Sequence, residues 1–324
     1  MLLKIQAQKH AIEFNCEMLN PMMGRVHSVF RHAVNFAWKD HRITTLLLAP
    51  KPLSPEGILV SRDAFQKAAE RDYALLMTVN GNLPFTVGEE VTFFSEKLTT
   101  NRFVIDLSGC PAVNLKVSSC ACLETIHQSL KQWLPEALLG KGLVTGLRSE
   151  VFFGSGRIAE LETVLEKMVF SDVVSSISSV EDLKRSLDRF IGLGEGLTPS
   201  GDDFIVGLCW VMTVDPVLCT TTLLPLVRQV LGSCLGKTNF ISGQMLRYAV
   251  EARFTEPLVR LARADNRTDL RAVFEDIAAF GHTSGLDTLC GLSVGLDISA
   301  RLKNSFHKSA PTASNGTKAA VCAV

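Results

Sequence analysis

Apolar residues follow two different patterns in the two parts of this chain. In the first part they form short runs at 43–49, 57–60, 74–79, 91–94 and 103–107, separated by turn sequences such as Asn80-Gly81-Asn82. Short apolar runs bounded by glycine, proline and asparagine predict β-strands. The helical spacing of Phe65, Ala68 and Ala69 predicts one helix over 62–72 among them. We therefore expect a mostly antiparallel sheet or a small barrel over residues 1–120.

From residue 123 onward the apolar period becomes that of amphipathic helices. One apolar stripe begins at Leu123 and predicts a helix that ends at Pro135, and another covers 158–168. Ser178 and Glu181 form a capping-box pattern for a helix that stops at Gly192. Further helices are expected at 223–235, 240–252, 256–264 (with Thr255 as cap) and 269–280. The predicted fold class is α+β, with an all-α domain over 121–302 and a disordered polar tail over 303–324.

Composition narrows the class of protein. The 324 residues are 47% hydrophobic and 20% charged, with formal net charge zero, which is typical of a globular chain with a large core. The balanced charge gives no electrostatic footprint for nucleic acid or an anionic membrane, and no apolar run is long enough to span a bilayer. The first residues are not a signal peptide, and the nine scattered cysteines lack zinc or redox spacing. We expect a cytoplasmic protein.

The densest chemistry lies in the segment GLGEGLTPSGDD, residues 192–203, which precedes an apolar run at 204–212. Glycines let a backbone approach a ligand closely, and a helix that begins after such a loop presents free N–H groups and the positive end of its dipole. The segment therefore predicts a loop that binds an anion or positions carboxylates. It follows a helix rather than a strand, so it does not fit a dinucleotide-binding loop.

A second copy of this pattern follows the helix predicted over 269–280. Both copies read Ser-Gly-x-Asp-x-x-x-Gly, beginning at Ser200 and at Ser284, 84 residues apart (284 minus 200). Each comes after a helix ended by glycine and opens an apolar helix, and such a repeat is difficult to ascribe to chance. Ser200 and Ser284 stand where helix caps belong. Glycines at 207, 291 and 295 would let the two helices approach closely, so the two loops are expected to converge on one site.

Two interpretations of the paired motifs stay open. The structural one is helix capping and a tight helix crossing with no ligand. The functional one is a site with catalytic groups and anion-binding donors, and adjacent carboxylates that could hold Mg²⁺ as a less favoured alternative. The candidate catalytic residues are Asp202, Asp203, Asp287 and His282, and the first two are also the candidate metal ligands. The candidate anion-binding residues are Gly194, Gly196, Thr198, Ser200, Gly201, Thr283, Ser284 and Gly285. Thr238 is interpreted as a helix cap.

The segment at 192–204 resembles the signature of a bacterial family whose named member is the AllH-type subunit of oxamate carbamoyltransferase. The resemblance extends to GRVHSVF at 24–30, to Thr238 with Ile241-Ser242, and to GHTSGLD at 281–287, and it covers roughly residues 20–300. It implies transfer of a carbamoyl group between carbamoyl phosphate and oxamate, with oxalurate and phosphate on the other side, in anaerobic breakdown of allantoin, a product of purine catabolism. It also implies a hetero-oligomer with a subunit that resembles an acyl-CoA synthetase.

The predicted chemistry and the resemblance agree, because carbamoyl phosphate and oxamate are both small anions. Transfer by positioning rather than through a covalent intermediate is favoured, since no nucleophile–base pair is evident. Two further functions are consistent with the same residues. One is a non-catalytic subunit that binds phosphate or nucleotide, or that only assembles with a partner. The other is a transferase that moves an acyl group to another small carboxylate.

Overall fold

The N-terminal part of the protein is a β-barrel-like sheet. A computed structural model describes residues 2–12, 20–69, 83–140, 156–170, 177–219 and 223–309. Within these residues the strands are β1 (Leu3–Ala11), β2 (Met22–Val29), β3 (Ala33–Trp38), β4 (Ile43–Leu48), β5 (Gly57–Val60), β6 (Glu90–Phe94), β7 (Lys97–Thr99), β8 (Phe103–Asp106) and β9 (Ala112–Val113). One short helix, α1 (Arg62–Ala69), follows β5.

Strand β1 closes the sheet into a barrel. The strand order is β5-β4-β3-β2-β6-β7-β8-β1-β9, and β1 also pairs with β5, which joins the two sides. Most neighbours are antiparallel, but β1 runs parallel to β8, with Leu3 opposite Phe103 and Ile5 opposite Ile105. Leu3, Ile5 and Ala7 alternate with exposed residues and point into the barrel core. The predicted sheet or barrel is confirmed.

Helices form the rest of the described chain. They are α2 (Leu123–Gly140), α3 (Gly156–Phe170), α4 (Ile177–Asp188), α5 (Ser200–Val214), α6 (Pro216–Cys219), α7 (Leu223–Cys234), α8 (Phe240–Val250), α9 (Glu256–Ala262), α10 (Leu270–Ala278) and α11 (Ser284–Ser309), with a 3₁₀ turn at Leu235–Lys237. Almost every residue of α5 is buried, so this helix is the centre of the helical core. Helix α11 packs along it. The α+β class is therefore correct.

Several polar contacts fix the helices on the barrel. The Tyr248 hydroxyl donates to the Ile43 carbonyl at 2.9 Å, and the Gln244 side-chain amide donates to the His41 carbonyl at 2.7 Å. Leu53 and Glu256 bond each other across the same boundary. The Leu53 N–H group donates to the Glu256 carboxylate at 3.2 Å, and the Glu256 N–H group donates to the Leu53 carbonyl at 2.9 Å. These bonds hold the helical part in a defined position against the strands.

Several expected helix boundaries differ in the structure. Helix α2 does not end at Pro135 but continues to Gly140, because Pro135 lies on the exposed face while Leu134 and its apolar neighbours pack into the core. Helix α4 begins at Ile177, so Ser178 lies inside the helix instead of capping it, and the helix ends at Asp188 rather than at Gly192. Helix α11 extends to Ser309, so the segment 303–309 of the expected disordered tail is helical.

Other expectations concern strands and the chain end. The structure has β1, which the sequence analysis did not predict although its alternation of apolar and polar residues was visible. The strand expected at 74–79 and the tail from 310 to 324 lie outside the described residues. The change from strand to helix falls between Val113 and Leu123, and the division into domains at 120 stays a prediction.

Candidate functional site

Helices α5 and α11 cross where each of them carries a glycine. A Cβ atom added at Gly207 would overlap the Thr288 carbonyl oxygen, and one added at Gly291 would overlap the Phe204 carbonyl oxygen. Since residues 204 and 207 correspond to 288 and 291 in the repeat, each motif makes the same contact with the other. The crossing therefore has local two-fold symmetry, and it requires glycine at both positions because backbone atoms cannot move aside.

Glycine is also required near the start of both helices. A Cβ atom at Gly201 would overlap the Phe190 carbonyl oxygen, and one at Gly285 would overlap the Ile277 carbonyl oxygen. The Gly201 N–H group donates to the Leu193 carbonyl at 2.9 Å, and the Gly285 N–H group donates to the Phe280 carbonyl at 3.0 Å. Each loop thus closes tightly on its own helix, and these two amides are not available to a ligand.

The two motifs meet at their hydroxyl groups. Thr198 Oγ1 of the first loop lies 2.7 Å from Ser284 Oγ of the second, a hydrogen bond between residues 86 positions apart. The two loops thus converge in space, as the repeat in the sequence predicted, although Thr198 rather than Ser200 makes the contact from the first copy.

Asp203 is a buried carboxylate at this junction. Its side chain is 7% exposed, and within the described part of the chain its Oδ2 atom has no hydrogen-bond partner. It lines a cavity of about 50 Å³ together with Thr198, Gly285 and Thr288. A cavity of this size has room for one or two water molecules. An acceptor left without a donor in such a place costs free energy, so it marks a position where a proton or a ligand is expected.

Electrostatics at the junction favour protonation of Asp203. Burial raises the pKa of the Asp203 carboxyl well above its ordinary value, and the negative charges of Asp287 and Asp202 raise it further. The hydroxyl groups of Ser284 and Thr198 oppose this rise in the pKa but do not cancel it. Asp287 is also buried, at 2% exposure, so two carboxylates share a region of low dielectric constant. Such a pair retains a proton at a higher pH than a free carboxylate does.

Asp202 has a different environment although it adjoins Asp203. Its Oδ1 atom accepts the Gly192 N–H group at 2.8 Å, and its Oδ2 atom accepts the hydroxyl groups of Ser242, at 2.6 Å, and of Thr238. Both carboxylate oxygens are therefore satisfied by donors from the protein. Asp202 ties the glycine loop to the start of α8, which is a structural function.

Thr238 and Ser242 make contacts that the sequence did not predict. Thr238 was interpreted as a helix cap, but Asn239 caps α8, its side chain accepting the Ser242 N–H group at 3.1 Å. Thr238 donates to Asp202 instead. The signal was present in the sequence, since these positions belong to the segments on which the family resemblance rests.

The glycine loop itself is open to solvent. Residues 194–197 are exposed, and Gly194 and Gly196 adopt positive φ angles of 114° and 98°. Across the described ranges the N–H groups of these two glycines donate to no protein acceptor. Two of the predicted anion-binding residues are thus placed where their amides can reach a ligand.

The remaining predicted residues differ in burial and in their position relative to the helix starts. His282 is exposed, Thr283 is partly buried, and the Thr283 carbonyl oxygen accepts the N–H groups of Leu286 and Asp287. Ser200 and Ser284 are the first residues of their helices rather than caps, because Pro199 occupies the capping position of α5 and makes no side-chain cap bond. Ser200 packs beside Gly194.

Both oxygens of Asp202, one of the two predicted magnesium ligands, already accept hydrogen bonds from the protein, and the metal site stays a prediction. In the described residues no group of three or more histidine, cysteine, aspartate or glutamate side chains is arranged to hold a metal ion. None of the described helices is long and apolar enough to cross a membrane.

Fold and site together define a class: a barrel-like domain followed by helices in which two copies of one loop–helix motif bury a pair of carboxylates. Residues 4–112 match the model of the AllH family N-terminal domain, and residues 190–296 match the model described as oxamate carbamoyltransferase subunit AllH. These two matches cover most of the chain. The chain belongs to the AllH family. No solved structure matches it.

Proposed function

We propose that this chain is a subunit of a multi-subunit carbamoyltransferase and that Asp203 takes part in transfer of the carbamoyl group between carbamoyl phosphate and oxamate. The observation that carries the proposal is the buried Asp203 carboxylate, with Oδ2 unbonded, at the junction of the two motifs. The description of the matching family model supports the choice of reaction.

In the proposed reaction the oxamate nitrogen attacks the carbamoyl carbon. The new C–N bond forms as the C–O bond to phosphate breaks, and phosphate leaves with the bonding electron pair. The nitrogen loses a proton, which the ionised Asp203 carboxylate accepts through a water molecule, because the Asp203 cavity of about 50 Å³ has room for water but not for a substrate. A raised pKa suits Asp203 to this role, because a base is most effective when its pKa is near the working pH. The free amides of Gly194 and Gly196 are suitable donors to phosphate or to the developing oxyanion.

The small cavity supports a role as one subunit among several. About 50 Å³ is too little for either substrate, so we infer that the substrates bind at the exposed glycine loop and that a partner subunit completes the site. A partner resembling an acyl-CoA synthetase is the candidate from the family resemblance. We propose that this assembly acts in the cytoplasm in allantoin breakdown.

The test is Asp203→Asn in the reconstituted complex, with turnover and assembly measured on the same sample. We expect turnover to fall by a factor of a hundred or more while the complex still forms, because the substitution removes a proton acceptor and keeps the shape. The matched control is Asp215→Asn, which changes a buried aspartate at the other end of α5. Once folded, that variant should keep its turnover.

A second candidate function, a non-catalytic assembly subunit, is favoured by the contacts of Asp202, Gly201 and Gly285, which serve the loop's own structure. This alternative predicts that Asp203→Asn leaves turnover unchanged, or that any loss of turnover follows loss of co-purification with the partner. Either result would contradict a catalytic role for Asp203.

A further inference from the structure

A second cleft lies between the barrel and the helices, apart from the paired motifs. Its volume is about 620 Å³, which is within the size range of sites for small ligands. His32, Lys51 and Arg62 line it from the barrel side, and α9 and α10 form the opposite wall. Lys51 Nζ reaches across to the Ala279 carbonyl oxygen at 3.4 Å, a long contact that leaves most of its donor capacity unused.

Positive charge exceeds negative charge in this cleft. Four cationic side chains line it against two carboxylates, so two positive charges are left over with His32 neutral. The carboxylates are already paired, Glu256 with Lys9 at 2.5 Å and Asp276 with Arg260. The cations in excess are therefore Lys51 and Arg62, and neither has a carboxylate partner in the described part of the chain.

The hydrogen bond between Arg62 and His32 shows that the cleft is rich in donors. Arg62 Nη2 lies 2.9 Å from His32 Nδ1. Because arginine can only donate, Nδ1 accepts, and neutral His32 carries its proton on Nε2 as a further donor. Burial lowers the pKa of His32, and the charges of Arg62, Arg31 and Lys51 lower it further, as expected where the local potential is positive.

We propose that this cleft, with Lys51, Arg62 and His32 as donors, binds a small organic molecule that carries a phosphate group. A phosphomonoester has a charge of about −1.5 to −2 at neutral pH, which matches the two excess positive charges, and arginine recognises phosphate with paired donors. The volume exceeds that of a phosphate ion, and Pro50, Leu59 and Pro257 supply apolar wall for the organic part. The proposal is independent of the reaction proposed for Asp203.

The experiment measures binding of inorganic phosphate and of phenyl phosphate to the full chain by calorimetry at constant ionic strength, with malonate as the dicarboxylate comparison. We expect phenyl phosphate to bind more tightly than phosphate, and phosphate more tightly than malonate. Arg62→Gln and Lys51→Gln should each weaken binding of both phosphates at least tenfold. The matched control is Arg267→Gln, which removes a charge from a side chain that is 93% exposed and does not line the cleft. It should change affinity less than twofold.

Melting temperatures without ligand show whether each variant is folded before its affinity is compared. Equal loss of affinity in Arg267→Gln, unchanged phosphate affinity in Arg62→Gln, or tighter binding of malonate would each overturn the proposal. The first would mean an effect of net charge alone. The second would place phosphate elsewhere, for example at the glycine loop, and would leave the proposed function of Asp203 intact. The third would assign the cleft to dicarboxylates.

Discussion

The two loop–helix motifs share their backbone packing but differ in chemistry. At Gly201 and Gly285, and again at Gly207 and Gly291, the glycines of both copies are excluded from carrying a side chain by a carbonyl oxygen. The residues that directly follow Gly201 and Gly285 differ, because the first copy has Asp202 where the second has Leu286. Asp202 accepts three hydrogen bonds, whereas Leu286 is a fully buried core residue. The glycines that the two copies share therefore allow the helices to cross closely, whereas the polar residues that differ between the copies contribute to the candidate site.

The largest expected effect tests the part that the two copies share. Gly207→Ala and Gly291→Ala should each destabilise the protein by about 3 kcal/mol or more, because the new methyl group meets a backbone carbonyl that cannot move without separating the helices. Urea unfolding at equilibrium measures this free energy of unfolding. Similar losses in the two variants would support the symmetry of the crossing, and a loss in only one of them would contradict it.

Gly232→Ala is the matched control for this pair. Gly232 lies in helix α7, and nothing is within 4 Å of a Cβ atom added there. Because alanine favours a helix by about 0.5–1 kcal/mol relative to glycine, this variant should be slightly more stable than the wild type.

The second largest expected effect on stability tests Asp202, a residue in which the two copies differ. Asp202→Leu gives the first copy the residue of the second and leaves three donors without an acceptor, at Gly192, Thr238 and Ser242. We expect a loss of about 2–3 kcal/mol in urea unfolding, since buried donors without acceptors are costly. Asp202→Asn keeps one acceptor oxygen and should lose less. If both substitutions cost the same, the hydrogen bonds would not be the cause.

A pH series compares Asp203 with Asp215, which lies just after the other end of α5. Burial tends to raise the pKa of Asp215, but hydrogen bonds from Lys303, Ser299 and the Leu218 N–H group outweigh it, and the net effect lowers the pKa. Asp215 therefore contributes stability that is present above the ordinary pKa of 3.8 and is lost as pH falls through its folded value.

The sign is opposite for Asp203, whose pKa is raised. Its contribution is fully present below the ordinary value of 3.8 and is lost as pH rises through the folded pKa. Asp203→Asn should therefore be more stable than the wild type near neutral pH and should lose less stability between acid and neutral pH. Asp215→Asn should be less stable near neutral pH. Chemical unfolding at each pH from about 2 to 8 measures both curves, and parallel curves for the two variants would contradict these assignments.

The smallest expected effect concerns the single hydrogen bond between the copies. Thr198→Val and Ser284→Ala each remove one side of the 2.7 Å contact. A double-mutant cycle should give a coupling energy of about 1 kcal/mol, the usual net value of a neutral hydrogen bond. A coupling energy near zero would mean that the two hydroxyl groups contact each other without contributing to stability.

The sequence predicts the helices and strands of this fold better than the strand pairing that closes the sheet into a barrel. Apolar spacing located most helices and several strands, but it could not show that β1 pairs with β5 and β8, because those contacts are distant along the chain. Pro135 was predicted to end a helix because proline lacks the N–H group that a helix interior needs. In the structure, burial of its apolar neighbours keeps the helix intact.

For the site, the repeat identified the right segments but not the separate functions of adjacent residues. Asp202 and Asp203 look alike in a sequence, and only the positions of Thr238 and Ser242 show that the first is fully bonded. The cleft with Lys51 and Arg62 gave no local signal at all. Its residues come from β-strand connections and from helices that are distant in sequence, so their positive charges combine only after folding.

The pairing of β1 also bears on how the chain folds as it is synthesised. Leu3 and Ile5 leave the ribosome before their partners Phe103 and Ile105, which follow about a hundred residues later. Closing so long a loop is slow, and until it closes β5 and β8 present open edges that can pair with another chain. Removing the first eleven residues would make that transient state permanent. A truncation that removes β1 is therefore expected to lower the yield of monomeric protein.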